Sequence, residues 1–199
     1  MELKSREQCR ALLRPLLPPE RLWHCECVAD AAVRLARRYG ANEHKAMLAG
    51  MLHDCAKYFP PEENRRRCAG YDRTLRAAAE QSPQVCHAFA GAAWLEAECG
   101  LADEEILGAV RWHTTGRAGM TTLEKVIFVA DLISADRSFA DVEEIRRNSR
   151  VSLEAAVAYI LQMTIGALRR TGESIHPASL ACLEELTRRS YEDARSFPL

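Results

Sequence analysis

Six residues stand out because their types could do chemistry and because each lies in or beside apolar sequence. In order they are His24, the pair His53-Asp54, His87, His113 and Asp131. Asp54 follows the apolar run Ala46 to Leu52, and Asp131 lies between Val126-Ile-Phe-Val-Ala130 and Leu132-Ile133. A carboxylate carried into such surroundings is costly unless a cation sits beside it. His24 follows Leu22-Trp23, His87 precedes Ala88-Phe89-Ala90, and His113 closes the segment Ile106 to Trp112. A lone buried histidine is ordinarily a satisfied core residue, and Asp131 alone could pair with Lys125 or Arg137. An ordered set on five apolar segments is harder to explain that way. Neutral imidazoles and carboxylates together suit iron, manganese or zinc.

The expected metal ligands are therefore His24, His53, Asp54, His87, His113 and Asp131. Neighbouring helical residues differ by about 100°, so His53 and Asp54 would flank a ridge against which other helices pack. One division places His24, His53, Asp54 and Asp131 on one ion. Asp54 would then share a second ion with His87 and His113, or those two histidines would contact phosphate instead. A divalent ion lowers the pKa of its bound water to roughly 7 and neutralises phosphoryl charge. The expected chemistry is attack of metal-bound hydroxide on phosphorus, with Asp54 or Asp131 orienting the water. Asp54, Lys57 and Asp131 are the expected catalytic residues. Lys57 follows Asp54 by three positions, close to one helical turn. Arg137 follows Asp131 by six. Thr114, Thr115 and Gly116 sit past a helix end, where hydroxyls and free N–H groups could meet phosphate. With Lys57, His87, His113 and Arg137 they make up the expected substrate contacts.

Positioning such a set requires helices, and the punctuation supplies them. Pro18-Pro19 opens a helix to about Tyr39, stopped by Gly40. Asn42 can cap the next, expected to run to about Lys57, with Pro60-Pro61 beyond it. Ser82-Pro83 opens one to about Cys99, and Asp103 caps another that ends near His113. Thr121-x-x-Glu124 is a capping box before the β-branched run at 126–129, which tips that run to helix. Two more helices are expected at about 152–171 and 177–190. The class is all-α: one domain, with a metal-site core at about 19–137 and a C-terminal helical extension at about 138–199.

Composition narrows the partners. At a length of 199 residues with a formal net charge of −1, the chain lacks the basic excess of nucleic-acid polymer binders. No stretch reaches the roughly 20 apolar residues of a membrane span, and the N-terminus has no signal-peptide core. The eight cysteines are scattered, which suits a reducing, cytoplasmic setting. Cys25, Cys55 and Cys86 each lie within two residues of a candidate histidine and read as small packing residues. His44 reads as exposed and His176 as structural, while Tyr58, Phe59, Phe89 and Trp112 read as core.

The order H…HD…H…H…D resembles the HD-domain superfamily of helical, metal-dependent phosphohydrolases. Leu52-His-Asp-Cys-Ala-Lys-Tyr-Phe-Pro60 is similar to the extended motif of one branch, the YqeK family of bacterial symmetrical diadenosine tetraphosphate hydrolases. So is the stretch Trp112-His-Thr-Thr-Gly-Arg-Ala-Gly-Met-Thr-Thr-Leu-Glu-Lys125, running into Val129-Ala-Asp-Leu-Ile133. The likeness spans about residues 15 to 190. It implies an HD helical bundle, iron as the preferred metal with manganese or cobalt as substitutes, and cleavage of diadenosine tetraphosphate into two ADP. The helices after about residue 138, with Leu153, Val157, Ile160, Leu161 and Leu168, could pack on the site or build the face of a homodimer. After the last aspartate the family pattern is close to Ile-Glu-Pro-Gly-Arg, where this chain has Ile133-Ser-Ala-Asp-Arg137. Alternatives from the same superfamily are a nucleoside monophosphatase, an alarmone hydrolase or a cyclic-dinucleotide phosphodiesterase. The last has only Gly70-Tyr71-Asp72 in its favour, without the expected proline. A non-catalytic nucleotide sensor would usually have lost a ligand, and all six are present.

Overall fold

The computed structural model describes residues 4–68 and 83–196, and among these residues it contains helices and no strand. Gly70-Tyr71-Asp72 lies outside the described residues. The first helix, α1 (Arg6–Leu13), was not expected from the sequence. Ser5 and Gln8 form its capping box, and Cys9 and Leu13 bury its inner face. The long α2 (Pro19–Tyr39) starts at Pro19 and ends on left-handed Gly40. Asn42 caps α3 (Glu43–Leu52), its side chain accepting from the Lys45 amide at 3.0 Å.

This third helix stops at Leu52, short of the expected Lys57. The Gly50 carbonyl, which a continuing helix would offer to the Asp54 amide, instead accepts from the His53 ring at 2.8 Å. Beyond it the chain runs through tight i to i+3 turns, with the Cys55 amide on Leu52 O and the Lys57 amide on Asp54 O. A short α4 (Pro61–Cys68) carries Arg65, Arg66 and Arg67 in its last turn. Arg66 and Arg67 pair with Glu63, Arg66 exposed and Arg67 largely buried.

Pro83–Val85 forms a single 3-10 turn, so α5 (Cys86–Cys99) begins three residues later than the proline suggests. Asp103 caps α6 (Glu104–Trp112), and the Thr121/Glu124 capping box opens α7 (Thr122–Ile133). The β-branched run is helical and buried from Val126 to Ala130. Then come α8 (Val142–Val151), α9 (Leu153–Thr171) and α10 (Pro177–Ser196), of which α8 was missed.

The core is assembled around α2, α3 and α7, which pack on one another, with α6 against α3 and α7 and α5 against α6. Gly50 lets α3 approach α2 closely: a Cβ there would fall 2.7 Å from Ala29 Cα. The C-terminal helices add a second group: α9 lies on α7 and α8, and α10 on α9. Leu153, Val157, Ile160 and Leu161 bury the inner stripe of α9. No helix is long and apolar enough to cross a membrane among the described residues.

Candidate metal centre

Five helices deliver the six candidate ligands to one point. His24 projects from the body of α2, His53 caps α3 with Asp54 just beyond it, and His87 lies in the first turn of α5. His113 caps the C-terminus of α6, and Asp131 comes from the last turn of α7. His24 Nε2 is 2.9 Å from Asp131 Oδ1. His53 Nε2 lies 3.5 Å from Asp54 Oδ2 and 3.9 Å from Asp131 Oδ1, between the two carboxylates. His87 Nε2 and His113 Nε2 stand 3.0 and 3.5 Å from Asp54 Oδ1. Two overlapping sets have ligand atoms within 4.8 Å of one another: His24, His53 and Asp131, and His53, Asp54 and His113. All four histidines and Asp54 are buried.

The imidazoles are oriented by their far nitrogens. Nδ1 of His53, His87 and His113 faces the carbonyl of Gly50, Gln84 and Val110, at 2.8, 2.8 and 2.7 Å. A carbonyl only accepts, so Nδ1 carries the proton in each case. The Nε2 lone pairs then point at the cluster, as ligands require. His53 and His113 reach these carbonyls because they sit at helix ends, where the last carbonyls lack intrahelical partners.

The charges are mutually dependent. Burial works to raise the Asp54 carboxyl, yet the imidazoles of His53, His113 and His87 crowded against it hold it well below the usual carboxylate range. Burial likewise opposes ionisation of Asp131, and His24, His53 and Arg137 overcome it. His87 is driven the other way, down to about 4, because burial disfavours its imidazolium. At neutral pH the centre therefore presents two carboxylates and a neutral His87. His53 Nε2 and Asp54 Oδ1 are buried without a hydrogen-bond partner among the described residues. Unpaired atoms of this kind cost free energy unless something else meets them. Nitrogen and carboxylate donors converging on one point fit a divalent metal ion.

Cations rim the centre. Lys57 Nζ is 3.4 Å from His87 Nε2 and 4.0 Å from Asp54 Oδ1. Arg137 donates to Asp131 Oδ1 at 2.5 Å and to its main-chain oxygen at 2.8 Å, so the altered turn before it does not remove it from the site. Arg21, not anticipated, donates to Asp54 Oδ2 at 3.1 Å. It lies one turn before His24 on α2, and the spacing argument that selected Lys57 applies equally to it. Thr114 follows His113, and its hydroxyl is buried without a partner among the described residues. The Thr115 hydroxyl donates to Gly116 O at 2.9 Å, and the Gly116 amide to Trp112 O at 2.9 Å. The Thr115 carbonyl accepts from Ser179, and Gly116 is left-handed, with a Cβ there falling 3.3 Å from Met120 Sδ and 3.4 Å from Cys182 Sγ.

Cys25 and Cys55 are buried beside the centre, with thiols pushed up by burial and by the Asp54 charge, which leaves them inert packing groups. His44 is exposed, and His176 is buried in a stack on Phe89. Tyr58 departs from expectation: it is 53% exposed, because the turns after Asp54 swing it away from the core.

A helical bundle that gathers H…HD…H…H…D ligands at one buried point defines a metal-dependent phosphohydrolase of the HD type. The HD domain model matches residues 21–136 of the sequence. A Bacillus subtilis (strain 168) protein named "Bis(5'-nucleosyl)-tetraphosphatase, symmetrical" is 36% identical over 87% of this chain and 92% of its own length. A Staphylococcus aureus (strain NCTC 8325 / PS 47) protein of the same name is 32% identical over 95% of this chain and 96% of its own. A solved structure from Clostridium acetobutylicum superposes with a TM-score of 0.89 at 33% identity, covering 94% of this chain and 100% of that one. It is described as a "predicted HD superfamily hydrolase involved in NAD metabolism". The chain belongs to the HD-domain family.

Proposed function

We propose that this protein cleaves diadenosine tetraphosphate symmetrically into two ADP in the cytoplasm. A divalent ion, iron foremost, would be held by His24, His53, Asp54 and Asp131, with His87 and His113 as further ligands or as phosphate contacts. The observation that carries this reading is the convergence of His53 Nε2 and Asp54 Oδ1, both buried without a hydrogen-bond partner among the described residues, with Arg21 and Lys57 beside Asp54 and Arg137 beside Asp131. The names of the bacillary and staphylococcal relatives support the substrate. The free state of all eight cysteines supports the compartment.

A bound divalent ion would supply the positive charge that activates water and offsets charge on the phosphoryl group. The protein's own residues do the rest. Arg21 and Lys57 beside Asp54, and Arg137 beside Asp131, spread positive charge over a polyphosphate that would otherwise be repelled by the two carboxylates. Both carboxylates stay ionised at neutral pH and so can orient the attacking water by accepting its hydrogen bonds. The leaving group is a nucleoside diphosphate, which departs without strong acid assistance. A neutral His87 suits this, since its Nε2 offers a lone pair, to Lys57 or to an ion, without adding a charge.

The test is chromatography of the products from diadenosine tetraphosphate, after anaerobic purification and metal analysis, with His53→Ala and Asp54→Ala alongside. ADP as the sole product, lost in both variants, is expected. AMP plus ATP would reject the symmetric cut. No turnover with iron, manganese or cobalt would reject the substrate. A panel of nucleoside monophosphates and alarmones would then separate the other HD activities from a nucleotide sensor.

A further inference from the structure

Three of the four histidines at the centre rest their Nδ1 proton on a main-chain carbonyl three residues earlier, and His24 does not. It sits within α2, where the carbonyls before it are engaged in the helix ladder and none is free to accept. Its Nδ1 instead meets Asp136 Oδ2 at 2.7 Å, from a residue 112 positions along the chain. Nδ1 must carry the proton, because a carboxylate only accepts. His24 Nε2 is then the free lone pair, directed at Asp131 Oδ1, 2.9 Å away.

Asp136 stands in the turn where this chain departs from the Ile-Glu-Pro-Gly-Arg pattern. The turn is held from outside. Arg146 of α8 donates to the main-chain oxygens of Ser134 at 3.0 Å and of Ile133 at 3.2 Å. The Arg137 amide closes the turn on Ser134 O at 3.1 Å. The carboxylate is thus presented by a braced turn, and its partner His24 is only 3% exposed.

We propose that Asp136 is a positioning residue for the metal centre: it fixes the tautomer and orientation of His24 and raises the donor strength of its Nε2. The proposal rests on the metal-centre reading. A charged acceptor strengthens the hydrogen bond to Nδ1 roughly twofold over a neutral one. Removing such an outer partner of a metal-binding histidine typically weakens the metal about 10- to 100-fold. The turn that departs from the family pattern would thereby supply what α2 cannot.

The experiment is titration of the metal-free full-length protein with Mn²⁺, reading free ion by electron paramagnetic resonance. Asp136→Ala, Asp136→Asn and His53→Ala are compared with the unaltered chain, and thermal unfolding in chelator is read for each. Asp136→Ala is expected to weaken Mn²⁺ about 10- to 100-fold. Asp136→Asn keeps the shape and a neutral acceptor, so it should lose affinity by a smaller factor, about tenfold at most. A merely structural role would leave the asparagine variant at full affinity, and that result overturns the proposal even if the alanine variant unfolds. Full affinity in both variants, when His53→Ala has lost the ion, also overturns it and leaves the metal centre standing. If the unaltered protein binds no Mn²⁺, the metal reading and the proposal fall together.

Discussion

Replacing Gly50 with alanine tests whether the close crossing of α2 and α3 sets the geometry of the centre. The added Cβ would lie 2.7 Å from Ala29 Cα and 2.9 Å from Ala29 N. Carbon atoms settle at about 3.5–4.0 Å, so the helices must part by about 1 Å. The opposing atoms are backbone and have no rotamer to change. Overpacking costs about 1–3 kcal/mol, and rigid neighbours put this site near 3. Alanine's better helix propensity offsets about 1 kcal/mol. A net loss of about 2 kcal/mol lowers the midpoint by about 4–8 °C in a chain of this size, measured in chelator so that metal does not contribute. The same displacement carries His53 away from His24, whose rings now stand 5.3 Å apart. A misplacement of about 1 Å at a catalytic centre costs about 100-fold, to be read as kcat/KM for diadenosine tetraphosphate. Gly166→Ala is the control, since its Cβ would meet only the flexible end of Arg170, and it should be neutral or slightly stabilising. An unchanged midpoint with activity within about twofold of the parent would refute the argument that this crossing sets the site.

Asp54→Asn keeps the volume but removes the charge between three histidines, and metal content after dialysis should fall along with turnover. Arg21→Gln should raise KM far more than it lowers kcat if the guanidinium serves phosphate; an unchanged KM would assign Arg21 to holding Asp54 alone. In the metal-free protein burial pushes His87, faced by Asp54, His113 and Lys57, down to about 4 from the 6.5 of an ordinary histidine. The unfolded chain takes up that proton as pH falls through 6.5 and the folded one does not. Stability present above about 6.5 should therefore drop by about 3 kcal/mol on the way to pH 4. His87→Gln should flatten that slope in denaturant titrations. Alkylation of the native protein should reach Cys99 first, as the other seven thiols are buried; mass spectrometry of the digested product would show it.

The helix order was legible where side chains cap helices. Asn42, Asp103 and the Thr121/Glu124 box mark their helix starts directly, and Gly40 marks a stop. The end of α3 was not legible, because it depends on the ring of His53 capturing a carbonyl of its own helix. The first and eighth helices escaped notice for a different reason. Both are short, and α8 is strongly polar, with Val142 and Ile145 as its buried apolar residues, so its stripe is too brief to stand out. The candidate ligands were legible because buried histidine and aspartate are conspicuous in apolar sequence. Arg21 was legible by the same spacing as Lys57, since it lies one turn before His24 on α2, but an arginine in the first turn of a helix carries no signal of its own. Asp136 could not be found by local pattern at all, since its partner is on a helix more than a hundred residues earlier.

The helix ends that place the histidines also impose a field. α3 and α6 both terminate at the centre, at His53 and His113, and each directs about half a negative charge toward it. α5 arrives from the opposite sense, with His87 in its first turn and its positive end inward. The centre is therefore electrically lopsided before any ligand enters. A cation is favoured toward α3 and α6, and anionic oxygens toward α5, beside which Lys57 already stands. Backbone dipoles alone give a polyphosphate a preferred direction across the site, and side-chain substitutions that spare the helices should leave that direction intact.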